Sequence, residues 1–435
     1  MPLLSSACIV FFAGGTQSAR NLEWLFMKIL FMHNNFPGQY RRITTFLKNK
    51  PNVKMFAATL ETNSQRYSIK DVRYKPHREA SRKIHPALYT TEQAVIMGQA
   101  ALKTLLGAKK KGFRPDIILS HSGWGSNLFL KDVYPDAKLL TYFEWYYHSK
   151  NSDGDFLNPD MYDVNGQMRL RMKNTPILQD LASMDWGQSP TQFQHGKLPD
   201  IFRKRVSVLH DGVDTEFFKP ASDEVTVEIG GKTLTSSDEV ITYVARGMEP
   251  YRGFPQFMEA ASKIQKLRPN LQIVVLGNDR VAYGASRADG RTYKQWAMEE
   301  FDFDMDRLHM PGLQPLNTFR QLMQLTSAHV YLTVPFVLSW SLMEAMSAGA
   351  LIVGSDTEPV REVITDGDNG VLVDFFDVDA LVSKLCHILD NKADYQPLKE
   401  RARETILTQY DTRDLLPKYW KLIQSVANGS QVEGV

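Results

Sequence analysis

The sequence predicts an α/β protein built as two Rossmann-like halves, each a doubly wound parallel sheet. Three observations carry this. Short apolar runs alternate with amphipathic helical stretches through the first 200 residues. The same rhythm restarts after Asp200. A chain of 435 residues is long enough for two full cores.

In chain order, residues 29–32 read as the first strand. The turn Phe36-Pro-Gly-Gln39 follows, and Tyr40, Ile43 and Leu47 then repeat at helical spacing. Residues 53–57 form a second strand, 91–111 a long helix, and 116–120 and 138–142 two more buried strands. In the second half, 206–209 leads into His210-Asp-Gly-Val-Asp214. Residues 225–234 read as a β-hairpin over Gly230-Gly231. Strands at 240–244 and 272–277 bracket a helix near 255–266. Leu342, Ala345 and Met346 give one apolar face of a helix that Gly349 ends, before a strand at 351–353. Ser341 is the expected cap of that helix, which puts Glu344 in its first turn. A last helix spans 413–425.

These elements divide the chain into a first domain of residues 27–205, joined by the C-terminal helix 412–427, and a second of residues 206–411. Residues 1–26 read as an extension from an upstream start, because Met27 opens directly on a buried strand. A signal peptide is the alternative for that segment, although it lacks a positive n-region. No stretch of the sequence is long and apolar enough for a transmembrane helix.

Composition narrows the function class. Hydrophobic residues at 43% and charged residues at 23% are ordinary for a globular protein, and a net charge of +2 implies no attraction to nucleic acid. The two cysteines, Cys8 and Cys386, lie too far apart to suggest a disulfide framework or metal knuckle. A reducing, cytoplasmic compartment is the expectation.

Ligands of open α/β sheets bind beyond the carboxyl ends of the strands, so polar clusters there are the candidates. Gly38 stands in the turn after the first strand, where backbone can approach a ligand. His121 follows the strand at 116–120. A zinc role is not expected for it, since no second His or Cys stands at ligand spacing. Glu144 and His148 close the aromatic segment Glu144-Trp-Tyr-Tyr-His148 after the next strand, where they line an acceptor cleft or simply pack. Arg246 and Arg252 flank Gly-Met-Glu-Pro-Tyr, and guanidinium groups bind phosphate in bidentate fashion. Several Asp-x-Asp triplets, Asp153-Gly-Asp155 among them, follow no convincing strand, so no metal site is assigned. Glu344 either complements the helix dipole or accepts from a ligand hydroxyl.

The stretch Phe336-Val-Leu-Ser-Trp-Ser-Leu-Met-Glu344, with the helix and strand after it, resembles the Glu-x7-Glu signature of the family 4 retaining glycosyltransferases. Glu344 takes the place of the second Glu, and Phe336 stands where the first is usual. The resemblance extends over roughly residues 27–425. Arg246 and Arg252 match the family's phosphate-binding Arg and Lys, and His210-Asp-Gly-Val-Asp214 matches the turn that opens its second domain.

The resemblance implies the GT-B fold, two Rossmann-like domains facing across a cleft, and a hexosyl transfer from a nucleoside diphosphate sugar to a hydroxyl acceptor without a metal or other cofactor. It implies donor contacts at Gly38, Gly277, Asn278, Leu338, Ser339, Trp340, Ser341 and Leu342. Arg246 and Arg252 would face the diphosphate, Glu344 the ribose, and His121 the transferred sugar. Glu144 and His148 would face the acceptor. The usual family role is in surface polysaccharide or lipid-linked glycan synthesis. A lipid-linked acceptor would bring the first domain to the inner membrane face, with Arg78, Arg82, Lys83 and Lys109 to Lys111 assisting. The departure at Phe336 keeps open a non-catalytic nucleotide-sugar binder or assembly protein of the same fold. A phosphorylase or epimerase is a third reading.

Overall fold

The computed structural model describes residues 26–432; the expected N-terminal extension, with Cys8, lies outside them apart from Phe26. Two parallel sheets form its frame. The first holds β1 (Met27–Met32), β2 (Val53–Leu60), β3 (Lys70–Tyr74), β4 (Ile117–His121), β5 (Lys138–Tyr142), β6 (Trp186–Ser189) and β7 (Val206–Val208), in the order β3-β2-β1-β4-β5-β6-β7. A small antiparallel hairpin follows, β8 (Thr226–Ile229) and β9 (Lys232–Thr235), turning at Gly230-Gly231. The second sheet holds β10 (Val240–Gly247), β11 (Gln272–Asn278), β12 (Leu308–Gly312), β13 (Ala328–Tyr331), β14 (Ile352–Ser355) and β15 (Val371–Val373), in the order β12-β11-β10-β13-β14-β15.

The two-residue period of the strands separates the layers. Ile29 and Phe31 of β1 pack with Tyr419, Leu422 and Ile423 of the C-terminal helix Thr412–Asn428. Leu30 and Met32 point the other way, onto Ala101 and Leu105 of the helix Tyr89–Lys110. In the second sheet, Ile241 and Tyr243 meet Phe257 and Met258 of the helix Phe254–Leu267. Val240 and Ile352 meet Leu342 and Met346 of the helix Trp340–Ala348 on the opposite face. Burial on both faces is what parallel sheets require.

One expectation is corrected here. Residues 206–208 do not open the second sheet. They are the last strand of the first, with Gly187 paired to Val206 and Ser189 to Val208. A Val-Ser-Val run carries no information about which sheet it joins. The chain therefore crosses between the sheets after Leu209. It crosses back beside the same place, where Val213 N–H donates to the Tyr410 carbonyl at 2.7 Å and Thr412 N–H to that of Val213 at 3.0 Å. No helix among the described residues is long and apolar enough to cross a membrane.

Candidate functional site

The carboxyl ends of the two sheets face one another across a cleft of about 330 Å³. The first sheet contributes the segment after β1 (His33, Gly38, Gln39), Trp124 after β4 and Glu144 after β5. The second contributes Arg246 at the end of β10, Arg252 and Tyr283 on the loops beyond, and Leu338, Ser339 and Trp340 where the helix Trp340–Ala348 begins.

On the second side the two arginines differ. Arg246 is exposed at a register shift in β10. Arg252 is buried; its Nη1 donates to Thr333 Oγ1 at 2.8 Å, and the Tyr243 hydroxyl donates to its carbonyl at 2.7 Å. Tyr283 and Phe336 stand against the Arg252 guanidinium at 5.4 and 5.7 Å. Tyr283 is positioned by Glu249, whose Oε2 accepts from the N–H groups of Ala282 and Tyr283, each at 2.6 Å. Phe336 is buried in an aromatic group, with ring centroids 4.8 Å from Trp145, 5.0 Å from Tyr283 and 5.6 Å from Tyr251. Trp145 belongs to the segment after β5, so this group joins the two sheets.

On the first side a polar chain leads into the cleft. His33 Nδ1 accepts from Asn35 N–H, which leaves Nε2–H to donate to Gln39 Oε1 at 2.8 Å. Gln39 Nε2 donates to Glu144 Oε1 at 3.1 Å. Burial holds the Glu144 carboxyl above its usual range, opposed mainly by Arg246. His121 stands 3.8 Å from the other Glu144 oxygen. It is enclosed between Trp124, stacked at 4.1 Å, and Tyr142 at 5.4 Å. Burial lowers its pKa to about 4 and, with the nearby His121, that of His33 to about 3, so both imidazoles are neutral near pH 7.

Asp180 fixes the turn that carries Trp124. Its Oδ2 accepts from Ser122 Oγ at 2.7 Å and from Gly123 N–H at 3.3 Å, and Asn127 in turn donates to the His121 carbonyl at 2.9 Å. Burial raises the Asp180 pKa to about 7. Its folded pKa therefore exceeds its unfolded one. The stability this contributes is full below about pH 4 and is lost as pH rises through about 7. Asp180→Asn carries no such dependence. The melting temperature of the variant relative to the native protein is expected to rise between pH 5 and pH 8, by the equivalent of about 2 kcal/mol or more. A gap that does not change with pH would rule out a buried, titrating Asp180.

Glu344 differs from expectation. The helix starts at Trp340 with Ser339 as its N-cap, so Ser341 is inside it and Glu344 is its fifth residue, past the first turn. Its carboxylate pairs with Arg42 across the gap between the sheets at 2.7 Å. Burial holds it above the usual carboxylate range, against the pull of Arg42 and Arg41. Arg42 also lies 4.7 Å over the Trp340 ring. The Trp340 indole N–H donates to Asp211 Oδ2 at 3.0 Å. Burial lifts the Asp211 pKa to about 6.

The cleft thus brings together Gly38, Glu144, Arg246, Arg252, Leu338, Ser339 and Trp340. Other expected residues stand elsewhere. His121 lies behind Trp124, because two aromatic rings enclose it. His148 is turned away, its Nε2 bonded to the Lys197 carbonyl at 2.8 Å. Leu342 is a core side chain, and its N–H is taken by the Ser339 carbonyl at 3.2 Å. Ser341 Oγ pairs with Ser339 Oγ at 2.6 Å. Gly277 and Asn278 end β11 behind the wall, where the Asn278 carbonyl accepts from Met248 N–H at 3.2 Å. Arg42 and Tyr283 carry no signal in the sequence; His33 and Gln39 lie in the turn around Gly38, Trp124 beside His121 and Asp211 in the turn 210–214, none with a role of its own there. The partners of Arg42 and Asp211 are distant in the chain, and only their positions after strand ends could have flagged His33, Gln39 and Trp124. Among the described residues no group of three or more His, Cys, Asp or Glu is placed to hold a metal ion.

Comparison with known proteins bears on the family and the fold. The model of the Glycosyl transferase family 4 group matches residues 51–218, and that of the Glycosyl transferases group 1 matches residues 228–405. The putative glycosyltransferase EpsD of Bacillus subtilis is 23% identical over 210 residues, 48% of this chain and 52% of that protein. The phosphatidyl-myo-inositol mannosyltransferase of Mycobacterium tuberculosis is 25% identical over 236 residues, 52% of this chain and 56% of that one. The chain spans about half the length of the curated relatives it matches. Among solved structures, sucrose-phosphate synthase from Thermosynechococcus elongatus superposes with a TM-score of 0.67 at 13% identity, covering 93% of this chain and all of that one. HepE of Anabaena in complex with UDP-glucose superposes with a TM-score of 0.63 at 13% identity, covering 92% and 100%. These likenesses are of fold: the two-sheet GT-B architecture.

Proposed function

Because the chain belongs to the family 4 glycosyltransferases, we propose that it transfers a hexosyl group from a nucleoside diphosphate sugar to a hydroxyl acceptor, with retention of configuration and without a metal. The observation that carries this reading is the pair of guanidinium groups, Arg246 and Arg252, facing Glu144 across one cleft at the carboxyl ends of two parallel sheets. Fixed positive charge at that place stabilises a leaving diphosphate. The second domain would hold the donor, with the diphosphate at Arg246, Arg252 and the first turn of the helix Trp340–Ala348. The first domain would hold the acceptor beside Glu144 and Trp124. His121, behind Trp124, would act on the sugar only through Glu144 and the Trp124 ring.

No side chain in the cleft stands out as a nucleophile. The bond between the anomeric carbon and the diphosphate oxygen breaks while the acceptor oxygen attacks from the same face. The acceptor proton passes to the departing phosphate oxygen, so the reaction closes without a protein base. HepE was solved with UDP-glucose, which supports a nucleotide sugar as donor. The mannosyltransferase relatives act on phosphatidyl-myo-inositol by name, which supports a lipid-linked or glycan acceptor, met at the inner membrane face.

A second reading, a nucleotide-sugar binder without transferase activity, is favoured by one observation. Phe336, which stands where the family's first Glu is usual, is buried among aromatic rings beside Arg252 and offers no polar group to a sugar. One experiment tests both. In a thermal-shift panel of UDP, GDP, ADP and TDP sugars with EDTA, one nucleotide at about a hundred times its Kd is expected to add about 2.7 kcal/mol. That donor is then offered with glycan and lipid acceptors. Binding with transfer supports the enzyme, binding without transfer the second reading, and no shift for any nucleotide overturns both.

A further inference from the structure

The two halves of the cleft differ in charge. Its cations, Arg246 and Arg252, both come from the second sheet, and among the described residues no Lys or Arg of the first half of the chain lines it. The acids on the first side are Glu144 and Asp211. Its histidines, His33 and His210, are neutral near pH 7 because burial lowers both pKa values to about 3. What this side offers instead is carboxamide groups and an aromatic face. The Asn35 side chain makes no hydrogen bond among the described residues, and Gln65 Oε1 receives only a long one, 3.5 Å, from the Tyr67 hydroxyl. Gln65 stands on a braced loop. Its N–H donates to Oδ1 of the buried Asn63 at 3.1 Å, and Asn63 Nδ2 donates to the Phe36 carbonyl at 2.8 Å. Arg73 Nη1 donates to the Asn63 carbonyl at 2.6 Å. The loop after β2 is thereby tied to the turn after β1. Trp124 is stacked on His121 by one face only. His33 lies 4.8 Å from Trp124 and 5.2 Å from His121, nearly perpendicular to both, so it stands beside the stacked pair and covers neither outer face.

We propose that this half of the cleft seats a neutral sugar as the acceptor, stacked on Trp124 and hydrogen-bonded by Asn35 and Gln65, and that it excludes phosphorylated and carboxylated head groups. The acceptor class rests on the hexosyl-transfer reading above and adds to it what receives the hexose. A sugar hydroxyl both donates and accepts, and a carboxamide carries both functions, so the two match without net charge. The C–H face of a pyranose ring packs on an aromatic face, as other apolar surface does. An anion in the same place would lose its water with no cation to replace it, and would face Glu144. The arginines opposite do not serve it, because the donor diphosphate takes their charge. Selection is therefore made by what the first side lacks as well as by what it offers.

Saturation-transfer difference NMR reads weak sugar binding directly. The native protein, holding whichever of UDP, GDP, ADP or TDP it binds most tightly, is titrated with methyl hexosides and neutral disaccharides. Hexose 1-phosphates, myo-inositol 1-phosphate and glucuronic acid are the anionic probes. At least one neutral sugar is expected to bind about tenfold or more tightly than every anionic probe, with saturation strongest on one face of its ring. Trp124→Ala is expected to weaken that sugar by about tenfold or more and to keep the nucleotide affinity, which belongs to the second domain. Gln65→Lys places a cation at an exposed position of the first side. It is expected to strengthen the anionic probes several-fold, and it serves if Trp124→Ala does not fold. A methyl glycoside in solution and a dodecyl glycoside in neutral lipid vesicles present the same hexose. Preference for the first identifies a free glycan and for the second a lipid-linked one, and either supports the class. Anionic probes that bind as tightly as the neutral sugars would overturn it, as would equal losses of sugar and nucleotide in Trp124→Ala. A protein that binds a nucleotide but no neutral sugar overturns the acceptor class and spares the transferase reading. A protein that binds no nucleotide fails that reading, and the acceptor class falls with it.

Discussion

Arg246→Ala is expected to lower kcat/KM for sugar transfer by about a hundredfold to a thousandfold, with the fold unchanged. The two halves of this statement have separate grounds. Arg246 is exposed at the end of β10 and, among the described residues, makes no hydrogen bond or ion pair. Surface substitutions of that kind stay within about 0.5 kcal/mol, so the melting temperature should hardly move. Its charge nevertheless reaches the cleft, where it is the largest influence opposing the effect of burial on Glu144. A guanidinium fixed beside a leaving diphosphate acts on charge that grows in the transition state, and removing one such group costs about 3 to 4 kcal/mol. The loss should fall mainly on kcat, with KM for the donor less affected. Arg246→Lys should recover part of it, because it restores charge without the fork. Arg252→Ala is a poorer probe. That side chain also bonds Thr333 and packs against Tyr283 and Phe336, so its removal disturbs structure and site together. Near-normal turnover in Arg246→Ala, at an unchanged melting temperature, would remove the arginine pair from the mechanism.

What could be read in the sequence follows from how local each signal is. The first strand and the C-terminal helix were legible because burial imposes a period on neighbouring residues: Ile29 to Met32 serve two opposite layers, and Leu415, Tyr419, Leu422 and Ile423 one. The edge strand β3, Lys-Asp-Val-Arg-Tyr, has too many charges to be seen that way. The central strand β13 hides a buried His329, whose Nδ1 meets Thr242 Oγ1 at 2.9 Å, inside what reads as a polar segment. Strand β6, Trp-Gly-Gln-Ser, is buried with polar side chains that find partners only in the fold, as Gln188 does at the Leu209 carbonyl. The site divides in the same manner. Arg246 and Arg252 announced themselves by charge after a strand. Arg42 and Asp211 did not, because Glu344 and Trp340, their partners, lie 302 and 129 positions away. With Ser341 as the cap, the sequence puts Glu344 in the first turn, whereas the cap is Ser339, two residues earlier. Helix boundaries are where sequence reasoning is least sharp, and here two residues separate an acid on the helix dipole from one committed to an ion pair between the sheets.

Gly277→Ala is expected to destabilise the protein by about 3 kcal/mol or more, a larger effect than any other glycine named here should produce. Gly277 has φ of +140°, a conformation that side-chain-bearing residues rarely adopt. A Cβ built there would stand 2.0 Å from the Ala245 carbonyl oxygen. Neither penalty can be relieved by turning a side chain, because both lie in the backbone of adjacent strands. Ala245 precedes Arg246 directly, inside the register shift between Val244 and Gly247 where β10 leaves its pairing with β11. The substitution therefore pushes on the backbone that aims the guanidinium group into the cleft. Gly112→Ala separates the two causes. Gly112 also has positive φ, +85°, but nothing lies within 4 Å of its added Cβ. It should cost only about 1 to 2 kcal/mol. Melting temperatures of the two variants measure the difference, and at about 2 to 4 °C per kcal/mol the gap should be several degrees. Nucleotide affinity supplies an independent reading, expected to fall in Gly277→Ala and to hold in Gly112→Ala. Equal destabilisation of the two would mean that strand β10 yields to the intruding methyl group. The close approach of β11 to β10 would then not be what holds Arg246 in place.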